Sequence, residues 1–236
     1  MTGPVIRLQG VRFRWRPQDP PVLDIPELEV AAGERLFLQG PSGSGKSTLL
    51  SLLGGITLPQ SGSVEVLGSD LTAMSGAARD TFRADHVGFI FQMFNLVPYL
   101  SAVENVLLPC RFSARRRQAA EAAGGMATEA RRLLAHMGLD EGRVEGRTVA
   151  ELSVGQQQRV AAARAMIGRP EIVIADEPTS SLDTEAQEKF LGLLFDEVAR
   201  GGAALLFVSH DRRLAGGFDR ALALAEVNRA AEGVAA

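Results

Sequence analysis

The stretch "GPSGSGKST", residues 40–48, carries the residue types needed to hold a chain of phosphates. It fits G-x-x-x-x-G-K-[ST] and lies where that pattern works, after an apolar stretch ("RLFLQG") and opening a helical one ("KSTLLSLLGG"). Gly40, Pro41, Ser42, Gly43, Ser44 and Gly45 would form the turn, with Gly43 and Gly45 letting the backbone approach phosphate oxygens and aim its N–H groups inward. Lys46 would reach the β- and γ-phosphates and Ser47 would offer its hydroxyl to Mg²⁺. Thr48 completes the set at a helix start, where the backbone favours anions. Such a site also needs a metal-directed carboxylate and a group to orient water. "IVIADEP" supplies both: Asp176 ends an apolar run and can approach Mg²⁺, and Glu177 can polarise the attacking water. A positioned general base of that kind is worth about 10²–10⁴ in rate.

These residues must be placed by strands and helices. "RLFLQG", "VGFIFQ", "IVIAD" and "ALLFVSH" read as short buried strands, and residues 5–15 ("VIRLQGVRFRW") as a strand pair or one bent strand. "RPQDPPVLDIP" reads as a proline-rich loop. From residue 93 to 168 alanine, arginine and leucine dominate, as in "SAVENVLL", "EARRLLAHM" and "QQQRVAAARAMI", which predicts several helices. A further helix, "TEAQEKFLGLLFDEVAR", separates the last two strands. Alternating strands and helices around a helical insert predict an α/β core with a mainly parallel sheet. The expected organisation is one nucleotide-binding domain over residues 1–236, with a core of 1–92 and 169–236 and a helical subdomain of 93–168.

Composition narrows the function classes. A formal charge of −3 argues against a nucleic-acid binder, whose footprint is usually strongly basic. The densest basic run, Arg115, Arg116 and Arg117, reads as a solvated helix face. Cys110 is the single cysteine, so no internal disulfide forms, and it reads as a small packed side chain. His86 and His136 match no motif and read as structural. No apolar run approaches the roughly 18 residues of a spanning helix, and "MTGPVIRLQG" lacks the layout of a signal peptide. A soluble intracellular chain is expected.

Beside the two phosphate motifs stand "FIFQ" with Gln92, "LSVGQ" at residues 152–156, "SSLD" at 180–183 and "VSHD" with His210. Together, in this order and over nearly the whole chain, they resemble the ATP-binding cassette (ABC) ATPases. The resemblance implies a P-loop NTPase with a RecA-like, mainly parallel core, an antiparallel β subdomain and an inserted α-helical subdomain. It implies ATP and Mg²⁺ as ligands, with Gln92 joining Ser47 and Asp176 at the metal and sensing the γ-phosphate. By resemblance His210 holds the γ-phosphate and attacking water, and Lys46, Gln92, Glu177 and His210 make the catalytic set. Trp15 stands where the family places an aromatic against adenine, a role an indole suits. Ser153, Val154, Gly155 and Gln156 would contact the γ-phosphate bound by a second copy, and Asp183 would cross that same dimer interface.

The linking text, "LLSLLGGITLPQSGSVEVLGSDLTAMS" and "VGFIFQMFNLVPYLSAVENVLLP", resembles the ATPases of lipoprotein release, macrolide export and cell division. Those work with permeases of few membrane helices and large extracytoplasmic parts. The resemblance implies a peripheral ATPase on the cytoplasmic face of the inner membrane. It would close head to tail on ATP to drive export, extraction or mechanotransmission, with "MFNLVPYLSAVENV" passing the closure to the permease. The alternative is a slow ATP-dependent switch that controls a membrane partner. Two departures stand out. The tail "ALALAEVNRAAEGVAA" differs from the family's usual Asp-Gly hairpin, and Val154 replaces a signature glycine. A β-branched residue forced to φ > 0 would cost about 1–2 kcal/mol or more, whereas in the first turn of a helix it costs little.

Overall fold

The computed structural model describes residues 3–140, 142 and 146–230. They fall into two compact units, residues 3–83 with 204–230, and residues 84–203 without those outside the described set.

In the first unit, β1 (Ile6–Phe13) pairs antiparallel with β2 (Leu23–Val30) and with β4 (Ser61–Val66), which turns back into β5 (Ser69–Asp70). The stretch 5–15 thus holds a single strand, Ile6–Phe13, whose register against β4 shifts between Gln9 and Arg12. The irregularity centres on two glycines: Gly10 has φ +59°, and a Cβ on Gly62 would lie 2.4 Å from the Gly10 carbonyl group. The proline-rich loop is shorter than its composition predicts, because Leu23, Asp24, Ile25 and Pro26 already belong to β2. Pro26 is tolerated because β2 lies at the sheet edge, where a missing N–H leaves no ladder bond unmade. The β4–β5 hairpin has no Asn-Gly or Asp-Gly signal. Leu67 and Gly68 supply the two left-handed residues of its turn, at φ 52° and 74°.

The same unit holds three parallel strands, with β3 (Arg35–Gln39) between β8 (Ala204–Ser209) and β9 (Arg220–Ala223). All six residues of β8 are buried, as a parallel strand covered on both faces requires. Helix α1 (Lys46–Leu53) follows β3, and the chain leaves this unit within α2 (Gly76–His86).

The second unit pairs β6 (Val87–Ile90) in parallel with β7 (Ile172–Asp176). Its helices are α3 (Ala102–Phe112), α4 (Ala114–Ala122), α5 (Met126–His136), α6 (Val154–Met166) and α7 (Thr184–Gly201). Helix α6 lies so close to β6 that a Cβ on Gly88 would fall 2.2 Å from the Ala165 carbonyl oxygen. The arginine run corrects its sequence reading. Arg117 is exposed, but Arg115 is paired with Glu171, and Arg116 is buried with Nη2 donating to the Ala165 carbonyl at 2.8 Å. Burial pushes the Arg116 pKa down to about 10. Gly168 admits this arginine, since a Cβ there would lie 2.5 Å from the arginine's own Cβ. His86 is structural, with Nδ1 at 3.1 Å from Glu171, and Cys110 is buried and free.

Candidate active site

The phosphate cradle lies in the first unit. Gly43 and Gly45 take φ +79° and +99°, conformations a side chain rarely adopts. Gly45 is also closed in sterically: a Cβ there would lie 2.9 Å from Leu23 Cδ2 and 3.2 Å from the Val22 carbonyl oxygen. It caps α1 without offering a side-chain acceptor, so no cap atom takes the first amides of that helix. Lys46 is buried, and its Nζ donates to the carbonyls of Gly40 and Pro41 at 2.6 and 2.8 Å, which folds the ammonium over the loop. Ser44 Oγ is buried with no hydrogen-bond partner. A turn of left-handed glycines, an uncapped helix start, a held ammonium and an unsatisfied hydroxyl fit a polyphosphate.

The tail that departs from the family braces this cradle. Leu224, at the start of α8 (Leu224–Val227), is buried, and its Cβ would lie 3.5 Å from a Cβ on Gly40. Asn228 accepts the Asp24 N–H at 2.8 Å and donates to the Val22 carbonyl at 3.0 Å, pinning the segment that packs on Gly45. Sequence reasoning missed Asn228; a buried-looking asparagine one residue past an apolar helix was its only signal.

Trp15 is 58% exposed and meets Phe13 edge-on, with ring centroids 4.9 Å apart. It lines a cleft of about 380 Å³ with Arg14, Arg16, Pro17 and Gln60. Gln60 holds that edge in place, accepting the Arg14 N–H at 2.8 Å and donating to the Arg14 carbonyl at 3.0 Å. An indole with an open face beside cations fits a purine. His210 follows β8 and is exposed, while Asp211 behind it caps the next short helix and pairs with Arg213.

The second unit carries the carboxylates. Asp176 ends β7, and Glu177 follows with φ +45°. A left-handed glutamate costs free energy, and such strain gathers at functional positions. Both residues are partly buried. Gln92 is exposed two residues past β6. Within this unit Asp176 and Gln92 offer oxygen ligands, the chemistry Mg²⁺ takes. Among the described residues no His, Cys, Asp and Glu cluster suits a softer metal.

The signature opens α6. Ser153 Oγ accepts the Gln156 N–H at 3.3 Å, and Gln156 Oε1 accepts the Ser153 N–H at 2.9 Å, a capping box. Val154 is the first helical residue, is not among the positive-φ residues and is 53% exposed. The strain that a left-handed valine would carry is therefore absent. Gly155 has no positive φ, and a Cβ on it would meet only Leu182 Cδ2 at 3.7 Å, an ordinary contact. Asp183 caps α7 by accepting the Ala186 N–H at 2.8 Å.

A glycine cradle between a parallel strand and a helix, with a buried strand ending in Asp-Glu, defines a P-loop nucleotide-binding protein. The ABC transporter family pattern matches residues 23–180. The lipoprotein-releasing system ATP-binding protein LolD of Anaeromyxobacter dehalogenans is 44% identical over 98% of this chain and 94% of its own. LolD of Chromohalobacter salexigens is 43% identical over 90% and 86%. YbbA of Escherichia coli K12, an uncharacterised ABC transporter ATP-binding protein, is 46% identical over 84% and 83%. A dimeric post-hydrolysis structure of the cassette MJ0796, bound to ADP and Pi, superposes with a TM-score of 0.81 at 34% identity, covering 92% of this chain and 93% of that one. This chain belongs to the ABC transporter family as an ATP-binding, ATP-hydrolysing subunit. No helix among the described residues is long and apolar enough to cross a membrane.

Proposed function

We propose that two copies of the chain close head to tail on ATP and Mg²⁺, hydrolyse the nucleotide, and transmit closure to a permease with few membrane helices and a large extracytoplasmic part. The cradle's conformation carries this reading: Gly43 and Gly45 left-handed, Ser44 Oγ buried without a partner, and an uncapped start to α1. In this scheme the amides of residues 43–48 and Lys46 grip the phosphates, and Trp15 stacks on adenine. Ser47, Gln92 and Asp176 would hold Mg²⁺, which would supply charge neutralisation to the β- and γ-phosphates. Glu177 takes a proton from water as the water oxygen bonds to the γ-phosphorus and the bond to the β-phosphate oxygen breaks. His210 steadies the γ-phosphate. Ser153 and Gly155 of each copy complete the other's site, with Asp183 beside them.

The surface past Gln92 suits a docked partner. Met93 and Tyr99 are 80% and 77% exposed, large apolar side chains on one short segment. The lipoprotein-releasing role named for two relatives directs the proposal toward extraction or export, with the ATPase peripheral on the cytoplasmic face of the inner membrane.

ATP turnover by the purified chain, compared with Glu177→Gln, tests the reading. The wild type is expected to turn over. The variant should lose turnover by about 10²-fold or more while still binding ATP and accumulating as a dimer. A variant that hydrolyses at the wild-type rate would remove Glu177 from the chemistry.

A further inference from the structure

Immediately past Gln92, Phe94 and Asn95 both lie in the left-handed region, at φ 60° and 49°. Phenylalanine rarely adopts that conformation, so the segment needs an external hold. Arg164, in the last turn of α6, supplies one. Its Nη1 donates to the Asn95 carbonyl at 2.6 Å and its Nη2 to the Phe94 carbonyl. Partial burial lowers the pKa of this guanidinium to about 10. A half-buried guanidinium held by two carbonyls is a committed contact, because breaking it would cost two charge-assisted hydrogen bonds at once.

The hold continues along the chain. Asn105, fully buried in α3, accepts the Val97 N–H at 2.8 Å and donates to the Val97 carbonyl at 3.1 Å. The amides of Val149 and Ala150, just ahead of the signature, donate to the carbonyls of Leu100 and Pro98 at 3.0 and 3.2 Å. Gln157 Nε2 then ties the carbonyls of Val149 and Leu152 to α6 at 3.0 and 3.1 Å. The segment that follows Gln92 is therefore fastened to α6 at both ends, by Arg164 in its last turn and by residues 149–152 before its first.

We propose that Arg164 is a positioning residue that locks the Gln92 loop to the signature helix, so that Gln92 and the pair Ser153 and Gly155 move as one body. The proposal rests on the roles given above to Gln92 and the signature.

A double-mutant cycle tests it, with ATP turnover measured for wild type, Arg164→Met, Gln92→Ala and the combination. Arg164→Met should lower kcat about tenfold and change the KM for ATP by less than about twofold, since the cradle and Trp15 are untouched. Added to Gln92→Ala it should lower kcat less than about threefold further, because no Gln92 side chain is left to place. Equal factors in both backgrounds, or KM rising in step with the loss of kcat, would overturn the proposal. Arg164→Lys reaches one carbonyl and should fall between wild type and methionine, which covers a methionine variant that fails to fold; a lysine variant equal to wild type also overturns it. Amide hydrogen exchange reads the lock without turnover: Arg164→Met should speed exchange in residues 93–101 and 149–153 at least about tenfold and leave β7 unchanged. Unchanged exchange in those segments overturns the lock. An inactive wild type would instead count against the ATPase reading alone.

Discussion

Gly155→Ala separates what the chain needs for itself from what a second copy would need of it. Gly155 is the second residue of α6, without positive φ, and the nearest atom to an added Cβ is Leu182 Cδ2 at 3.7 Å. Nothing in its own subunit resists a methyl group. Alanine in a helix interior is favoured over glycine by about 1 kcal/mol, and in a first turn roughly half of that is a fair share. For a chain of this size the melting temperature should rise by about 1–2 °C. Function should move the other way. If the partner's γ-phosphate is held by the Gly155 N–H, the methyl stands in its path and removes a hydrogen bond to a charged group, worth about 1.5–3 kcal/mol. Closure should then weaken by about 10- to 150-fold at each site.

Thermal unfolding, ATP turnover and light scattering of the ATP-bound dimer, the last in the Glu177→Gln background, measure the three quantities together. The expected pattern is a chain that melts no lower, turns over at least about tenfold more slowly and fails to dimerise at ATP concentrations that suffice for wild type. Val154→Gly is the control. It removes an exposed, unstrained side chain, so turnover should stay within about twofold while stability falls by a few tenths of a kcal/mol. Alanine at 155 with normal turnover and dimerisation would refute the close approach. A melting temperature lower by several degrees would show that packing within the subunit, rather than a partner, requires the glycine.

Two other perturbations follow from the geometry. Trp15→Ala removes an exposed ring that only edges onto Phe13, so it should barely change stability, while losing about 1 kcal/mol of stacking should raise the KM for ATP about fivefold; an unchanged KM would place adenine elsewhere. Glu171 links pH to stability: burial raises its carboxyl, but the hydrogen bond from His86 and the charge of Arg115 outweigh that and hold its pKa below the ordinary 4.5. A depressed carboxylate contributes stability above its unfolded pKa and loses it as pH falls through the folded value. Wild type should therefore lose more melting temperature than Glu171→Gln as the pH drops below about 4.5, and parallel curves would contradict this.

The parts legible in the sequence were those where local pattern and backbone need coincide. The apolar runs at β3, β7 and β8 became strands, and the glycines of "GPSGSGKST" became the left-handed turn. The rest failed for identifiable reasons. β2 was obscured by Pro26, which only its edge position permits. The β4–β5 turn places a leucine at φ > 0, which no residue preference announces. The arginine run misled because Arg116 is admitted by Gly168, fifty-odd residues away in sequence but touching it in space. Asn228 and Arg164 act on backbone carbonyls, and a carbonyl carries no sequence signal at all.

The glycines divide by where their reason lies. Gly45 and Gly88 are explained within the chain: a Cβ on either would meet atoms of its own subunit at 2.9 Å or closer. Gly43 and Gly155 show no such crowding. Around Gly43 a Cβ would find nothing within 4 Å, and around Gly155 only a side-chain methyl at ordinary distance. For Gly43 the left-handed φ alone gives a reason. Gly155 has neither strain nor crowding to account for it, whereas Val154 beside it shows that the first turn of α6 accepts a bulky residue. A side chain at this position is tolerated by every internal measure, so any requirement for glycine there would have to come from outside the subunit. Such a requirement would lie with whatever approaches the start of α6, and an anion is what a helix N-terminus favours.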